Sequence, residues 1–176
     1  LKAIEKGQDT ICCSSTGNAA SSLAGNAAKL GLKSVIFVPS RAPLGKLTQL
    51  AMYGSTVIKV NGDYKETFNA SKKAIDDYQL YNRNAAINPH LVEGKKTVAL
   101  EISEQLDFTN IDYVLVSVGD GCTIAGVYKG FYDLFQLGLV EKIPKIIGVQ
   151  SSGCDPFYQA YINKEPLKEQ EENTIA

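Results

Sequence analysis

Thr10-Ile11-Cys12-Cys13-Ser14-Ser15-Thr16-Gly17-Asn18-Ala19-Ala20 decides the fold. Thr10 to Cys13 is a short β-prone apolar run, the length of a buried strand. Downstream, Ala19, Ala20, Leu23, Ala24, Ala27, Ala28 and Leu30 recur at helical spacing, and Gly31 supplies the stop. Ser15-Thr16-Gly17-Asn18 is therefore the turn from the C-terminal end of a strand into a helix. The free N–H groups and the dipole of a helix start attract anions. Two hydroxyls and a carboxamide add side-chain hydrogen bonds, and Gly17 permits close approach to the backbone. The plainer alternative is a capped helix start, because Ser, Thr and Asn are ordinary caps. The stretch alone leaves both readings open.

Outward from it, the same alternation repeats. Ser34-Val35-Ile36-Phe37-Val38-Pro39 has no polar alternation, the mark of a parallel strand covered on both faces. A turn at 42–45 leads into a helix over 46–53, with Leu47, Leu50 and Ala51 inward and Gly54 ending it. Residues 56–60 are strand. Residues 64 to about 80 are helix, with Tyr64, Phe68, Ser71, Ile75 and Tyr78 on one stripe. A short strand and turn follow at 84–89, and Glu93-Gly94 precedes a helix carrying Val98, Leu100, Ile102 and Leu106. Tyr113 to Val118 is a further strand, and 124–137 a helix with Val127, Phe131 and Leu134 inward. A last strand covers 144–150, and the charged segment from Lys164 reads as surface loop. Repeated β-α-β units predict an α/β fold, with parallel sheets covered by helices. The return of the pattern after a long helix predicts two lobes, over 8–105 and 106–176. Residues 1–7 read as the tail of a preceding helix.

Gly119-Asp120-Gly121-Cys122-Thr123 is a second turn from strand to helix. Glycines at a helix start offer converging N–H groups and room for phosphate oxygens. A dinucleotide fingerprint fails, because Ile124 stands where the third glycine belongs and Gln150 ends the next strand. A Walker A loop fails for want of Gly-Lys-Ser/Thr. A plain βα turn remains the alternative. Both turns lie at C-terminal strand ends, where open α/β sheets bind ligands.

Bulk properties exclude several classes. The chain has 176 residues, 44% hydrophobic and 21% charged, with a net charge of −1. No basic cluster points to nucleic acid, and no apolar run approaches membrane-spanning length. The four cysteines, Cys12, Cys13, Cys122 and Cys154, form no C-x-x-C pair, and a single His leaves a poor zinc set. No metal is expected. Cysteines in a core strand fit a reducing cytoplasm. Cys13 as a nucleophile has no partner base in sequence. The first residue, Leu1, is not an initiator Met, so the natural start is expected upstream, with no signal peptide at 1–6.

These segments together resemble the pyridoxal-phosphate (PLP) enzymes built like the tryptophan synthase β-subunit, and within them the threonine synthases. Ser15-Thr16-Gly17-Asn18 resembles the family's Ser/Thr-Gly-Asn loop. Leu44 to Gln49, Met52-Tyr53-Gly54-Ser55 and Asn88-Pro89 with Glu93-Gly94-Lys95-Lys96-Thr97 resemble threonine synthase segments in the same order. The resemblance implies PLP as cofactor, in a cleft between two lobes, and an amino-acid substrate. It assigns Ser15 and Thr16 to the substrate carboxylate and Asn18 to the cofactor's ring hydroxyl oxygen. It assigns Gly119, Asp120, Gly121, Cys122 and Thr123 to the cofactor phosphate, and leaves Lys46 as an anion contact near the substrate.

Departures accompany it. Asp120 and Cys122 stand in a loop that relatives make richer in glycine. An Asp beside phosphate is repulsive unless only its N–H faces the ligand. Ala19 replaces a common hydroxyl residue. Ala85, Ala86 and Leu91 stand where threonine synthases hold a substrate phosphate with Asn, Ser and Arg. The family's Schiff-base lysine lies tens of residues before the loop, and no matching Ser-x-Lys occurs among the 14 residues before Ser15. The chain is therefore expected to be an internal fragment, inactive alone, of a homodimeric enzyme converting O-phosphohomoserine to threonine. Elimination, replacement or ammonia-lyase chemistry on an unphosphorylated amino acid is the alternative. A non-catalytic ligand-binding module is the alternative of another class.

Overall fold

The computed structural model describes residues 1–85 and 87–170. Ala86 and residues 171–176 lie outside the described residues. The chain divides into two compact units, one spanning Leu1–Asn88 and the other beginning at Pro89.

The first unit runs α1 (Lys2–Glu5), β1 (Thr10–Ser14), α2 (Asn18–Lys29), β2 (Lys33–Pro39), α3 (Leu44–Met52), β3 (Thr56–Val60), α4 (Tyr64–Tyr78) and β4 (Tyr81–Asn82). Its four strands are all parallel, in the order β3-β2-β1-β4. Side chains of a strand alternate between faces. Cys13, Ile36 and Val38 accordingly pack with Ala20, Leu23, Ala24, Leu47 and Leu50 of α2 and α3. Cys12 and Phe37 pack on the opposite face with Ile75 of α4. The two unbroken apolar runs are the central strands, each covered on both sides.

The face of α4 keeps Ser71 and Ile75 of the expected stripe, both buried, but not its tyrosine ends. Tyr64 is 50% and Tyr78 75% exposed, while Thr67, Ser71 and Ile75 are buried. The hydroxyls make this possible by bonding back to the helix, Thr67 to the Asp63 carbonyl and Ser71 to the Phe68 carbonyl. Asp63 and Glu66 close a capping box at the helix start.

The second unit runs α5 (Pro89–Lys95), α6 (Thr97–Gln105), β5 (Tyr113–Ser117), α7 (Cys122–Gln136), β6 (Lys145–Val149) and α8 (Pro156–Asn163). β5 and β6 pair in parallel, Tyr113 opposite Lys145 and Ser117 opposite Val149. Val127, Phe131 and Leu134 of α7 pack with Ala99 of α6 and Val116 of β5. β5 reads as a fully buried run, yet Leu115 is 68% exposed, because among the described residues helices cover one face of this pair. The helix expected after Gly94 is α6, but a separate helix, α5, precedes it where the sequence reads as a turn at Asn88-Pro89, and Gly94 lies inside α5. The sequence reading drew the lobe boundary near 105. The compact units part at 88/89, because α5 and α6 pack on α7: a Cβ on Gly126 would stand 2.5 Å from Lys95 Cβ, and one on Gly130 2.7 Å from both Ala99 Cβ and the Lys96 carbonyl. α8 lies in a segment for which the sequence gives no periodic signal.

Candidate functional site

Ser15-Thr16-Gly17-Asn18 stands where the sequence reading puts it, between the C-terminal end of β1 and α2. Gly17 is the N-cap, in extended conformation, and no side chain caps the helix. The Ser15 Oγ instead accepts from the Gly17 N–H at 3.2 Å, and the Ser15 N–H donates to the Phe37 carbonyl. The first intrahelical bonds run from Ala20 and Ser21 to the Gly17 carbonyl. Among the described residues, the N–H groups of Thr16, Asn18 and Ala19 have no partner. The capped-helix alternative therefore fails here: the hydroxyls and carboxamide are not spent on the helix start. Asn18 is exposed, and Ser15 and Thr16 half-buried.

Beneath the loop, the Ser14 N–H donates to Asn84 Oδ1 at 2.8 Å. Ser14 Oγ is buried with no partner among the described residues. Asn84 is a residue that sequence reasoning missed. Its neighbours Asn82 and Asn88, each two or four positions away in a turn, were the available signal.

Lys46 is exposed on α3. One turn later Gln49 Oε1 accepts from Ser21 Oγ in the early part of α2, at 3.0 Å. Cys12 and Cys13 are inert thiols. Burial, aided by the neighbouring Cys13, pushes Cys12 up to about 12. Burial pushes Cys13 up to about 11 against the opposing charge of Arg83. Neither supplies thiolate near neutrality.

Gly119 to Thr123 forms the other loop, in the second unit. Gly121 is the N-cap of α7, with φ of +80°, a conformation that glycine adopts without strain. A Cβ there would also stand 3.3 Å from Phe157 Cζ. The Gly119, Gly121 and Thr123 N–H groups have no partner among the described residues. The Asp120 side chain does not point away: its Oδ1 accepts from the Cys122 N–H at 2.9 Å. Burial first, and then Asp120, raise the Cys122 thiol above its ordinary value. Three N–H donors at the head of a 15-residue helix fit a phosphate, with Asp120 as the one feature against it. No group of His, Cys, Asp and Glu among the described residues is arranged to hold a metal ion. No helix among them is long and apolar enough to cross a membrane.

The family model described as pyridoxal-phosphate dependent enzyme matches residues 1–176. The chain belongs to the pyridoxal-phosphate-dependent enzyme family. The chain is 35% identical over 173 residues to threonine synthase of Methanosarcina acetivorans, covering 98% of this chain and 42% of that relative. It is 36% identical over 161 residues to threonine synthase of Methanocaldococcus jannaschii, covering 91% of this chain and 40% of that one. The chain thus spans about two fifths of the length of these relatives. Among solved structures, a PLP-dependent aspartate racemase superposes with a TM-score of 0.85 at 23% identity, over all of this chain and 52% of that one. A fungal L-serine ammonia-lyase from Rhizomucor miehei gives 0.85 at 20% identity, over 99% of this chain and 54% of that one. These likenesses show the fold, and the family's cofactor is PLP.

Proposed function

We propose that the protein carrying this chain is a threonine synthase-like enzyme, converting O-phosphohomoserine and water to threonine and phosphate. The observation that carries the reading is the uncapped start of α2, with free N–H groups on Thr16, Asn18 and Ala19 beside two uncommitted side chains, Thr16 and Asn18. It is supported by the identity to two threonine synthases.

In this reading the Ser15 and Thr16 hydroxyls and the loop N–H groups bind the substrate carboxylate. Charge-assisted bonds of this kind are about twice as strong as neutral ones. They fix the amino acid so that its α-carbon meets the cofactor in one orientation. The Asn18 carboxamide donates to the ring hydroxyl oxygen of PLP. The N–H groups of Gly119, Gly121 and Thr123 hold its phosphate, with Cys122 and Asp120 completing the loop. PLP supplies the electron sink for bond changes on the amino acid. Lys46, exposed on α3, serves as a further anion contact. A cytoplasmic, homodimeric enzyme with small and large lobes belongs to the same proposal.

Ala85 and Leu91 favour a second reading. They stand at positions that the resemblance gives to a substrate phosphate, and apolar side chains make no bonds to it. Ala86, the third such position, lies outside the described residues. The second reading is replacement or elimination on an amino acid with an unphosphorylated leaving group.

The test uses the full-length protein. PLP titration by absorbance, on the parent and on Gly121→Asp, checks the phosphate loop: severe loss of affinity is expected, and unchanged affinity refutes it. Specificity constants for O-phosphohomoserine, serine, threonine and O-acetylated analogues then decide the substrate. Preference for O-phosphohomoserine supports threonine synthase, and preference for the others supports the second reading. The 176-residue chain with added PLP is expected to give no sustained turnover.

A further inference from the structure

Asn84 is buried and uses every polar group it has. Its N–H donates to Asn82 Oδ1 at 2.8 Å, and its carbonyl accepts from the N–H groups of Ile87 and Asn88, both at 3.1 Å. Its Oδ1 accepts from the Ser14 N–H at 2.8 Å, and its Nδ2 donates to Ser71 Oγ of α4 at 3.4 Å. One residue thus joins the end of β1 and the face of α4 through its side chain, and the turn that leads to Pro89 through its backbone.

The backbone explains why a side chain is needed there. β4 pairs with β1 over two residues, Tyr81 opposite Ile11 and Asn82 opposite Cys12. The Arg83 N–H still reaches the Cys12 carbonyl at 2.8 Å. The chain then turns away, held by the Asn82 side chain, and offers β1 no further carbonyl. Ser14, the residue next to the loop, would be left with a buried donor unsatisfied. The Asn84 amide replaces the missing carbonyl and extends the ladder by one bond beyond the strand.

We infer that Asn84 is a positioning residue for the Ser15–Asn18 loop. By fixing the Ser14 N–H it sets where β1 stops, and so where the Ser15 and Thr16 groups point. The same residue, through its backbone carbonyl, holds the Ile87 and Asn88 N–H groups, and so ties that loop to the chain before Pro89. The consequence for binding rests on the reading of this loop as the carboxylate site.

The first measurement needs no substrate. In the full-length protein, Asn84→Ala raises amide exchange at Ser14 and Ser15 about tenfold over the rise in β2, as the loss of one buried hydrogen bond predicts. Asn84→Asp, which keeps an acceptor at the same place, restores the protection. Ser71→Ala removes the other partner and leaves exchange at Ser14 and Ser15 no higher than in β2. Should Asn84→Ala prove too unstable, Asn84→Leu, which fills the same space without an acceptor, is expected to show the same local rise, and its absence there overturns the inference. Equal rises along β1 and β2 in Asn84→Ala, or no rise, overturn the inference. In full-length enzyme, Asn84→Ala is expected to raise KM about tenfold with kcat little changed, because carboxylate binding is shared by ground and transition states. If the exchange signature appears while KM stays at the parent value, the positioning role stands and the carboxylate reading of the loop fails.

Discussion

Asp120 Oδ1 accepts a hydrogen bond from the Cys122 N–H at 2.9 Å, so a carboxylate occupies the head of α7. A negative charge belongs at a helix start on dipole grounds. A phosphate would meet that same charge at close range. Asp120→Asn keeps an oxygen acceptor for the Cys122 N–H and removes the charge. PLP affinity of the full-length protein is expected to rise about two- to fivefold, the scale of one such charge at an exposed helix end. The Cys122 thiol reports the same change. Burial and then Asp120 raise it, so the variant should be alkylated faster at a fixed pH near 8. Equal alkylation rates in parent and variant would show that Asp120 leaves the thiol untouched.

Gly130 lets α6 and α7 touch. A Cβ at this position would stand 2.7 Å from Ala99 Cβ and 2.7 Å from the Lys96 carbonyl. Gly130→Ala forces the helices apart, at about 1–3 kcal/mol. The gain in helix propensity recovers at most about 1 kcal/mol. Urea unfolding followed by a probe in the second unit should show the loss. Adding Ala99→Gly recovers only part of it, because the Lys96 carbonyl stays where it was.

Asp133 lies between Lys129 at 2.6 Å and Lys96 at 2.7 Å. Lys129 first, and then Lys96, hold its carboxyl below the ordinary range. Lys96 also holds Glu93 low, so one ion network joins α5 to α7 through Lys96, the N-cap of α6. A folded-state value below the unfolded one, about 3.9, stabilises the fold above that pH. The contribution is lost as pH falls through the folded value. Asp133→Asn should therefore be less stable than the parent near neutrality, and the gap should shrink below about pH 4. Denaturant unfolding at several pH values measures it, and a gap constant with pH would refute the account.

The alternation of strand and helix was legible because it is written in unbroken apolar runs. Ser34 to Pro39 has too few polar residues for a one-sided strand, and glycines follow the helices; Tyr113 to Val118 reads the same way, yet among the described residues helices cover only one face of it. The face of α4 was legible in part. Ser71 and Ile75 are buried as their spacing predicts, but Tyr64 and Tyr78 end in solvent, and Thr67 is buried on a bond that periodicity does not see. The start of α5 was hidden because Gly94 reads as a break, and tertiary packing on α7 overrides that preference. At the candidate site, the place of Ser15 to Asn18 was legible from the turn between strand and helix. That its side chains leave the helix uncapped was not, since it depends on the backbone angles of Gly17. Asn84 escaped notice because a buried asparagine in a turn looks like any other turn asparagine until its partner, 70 residues away, is known.

The four cysteines divide evenly between the two units, and this makes the chain its own unfolding reporter. Cys12 and Cys13 are shut in the first sheet, facing opposite sides of it, with thiols that hold their protons. Cys122 and Cys154 are half-accessible in the second unit. A brief pulse of thiol reagent in rising urea, read by peptide mass, labels the second pair from the outset and the first pair when its sheet opens. Opening free energies for the first unit follow without a tag or an introduced probe. Because Cys13 lies under α2 and Cys12 under α4, the order in which they react tells which helix lifts off the sheet first.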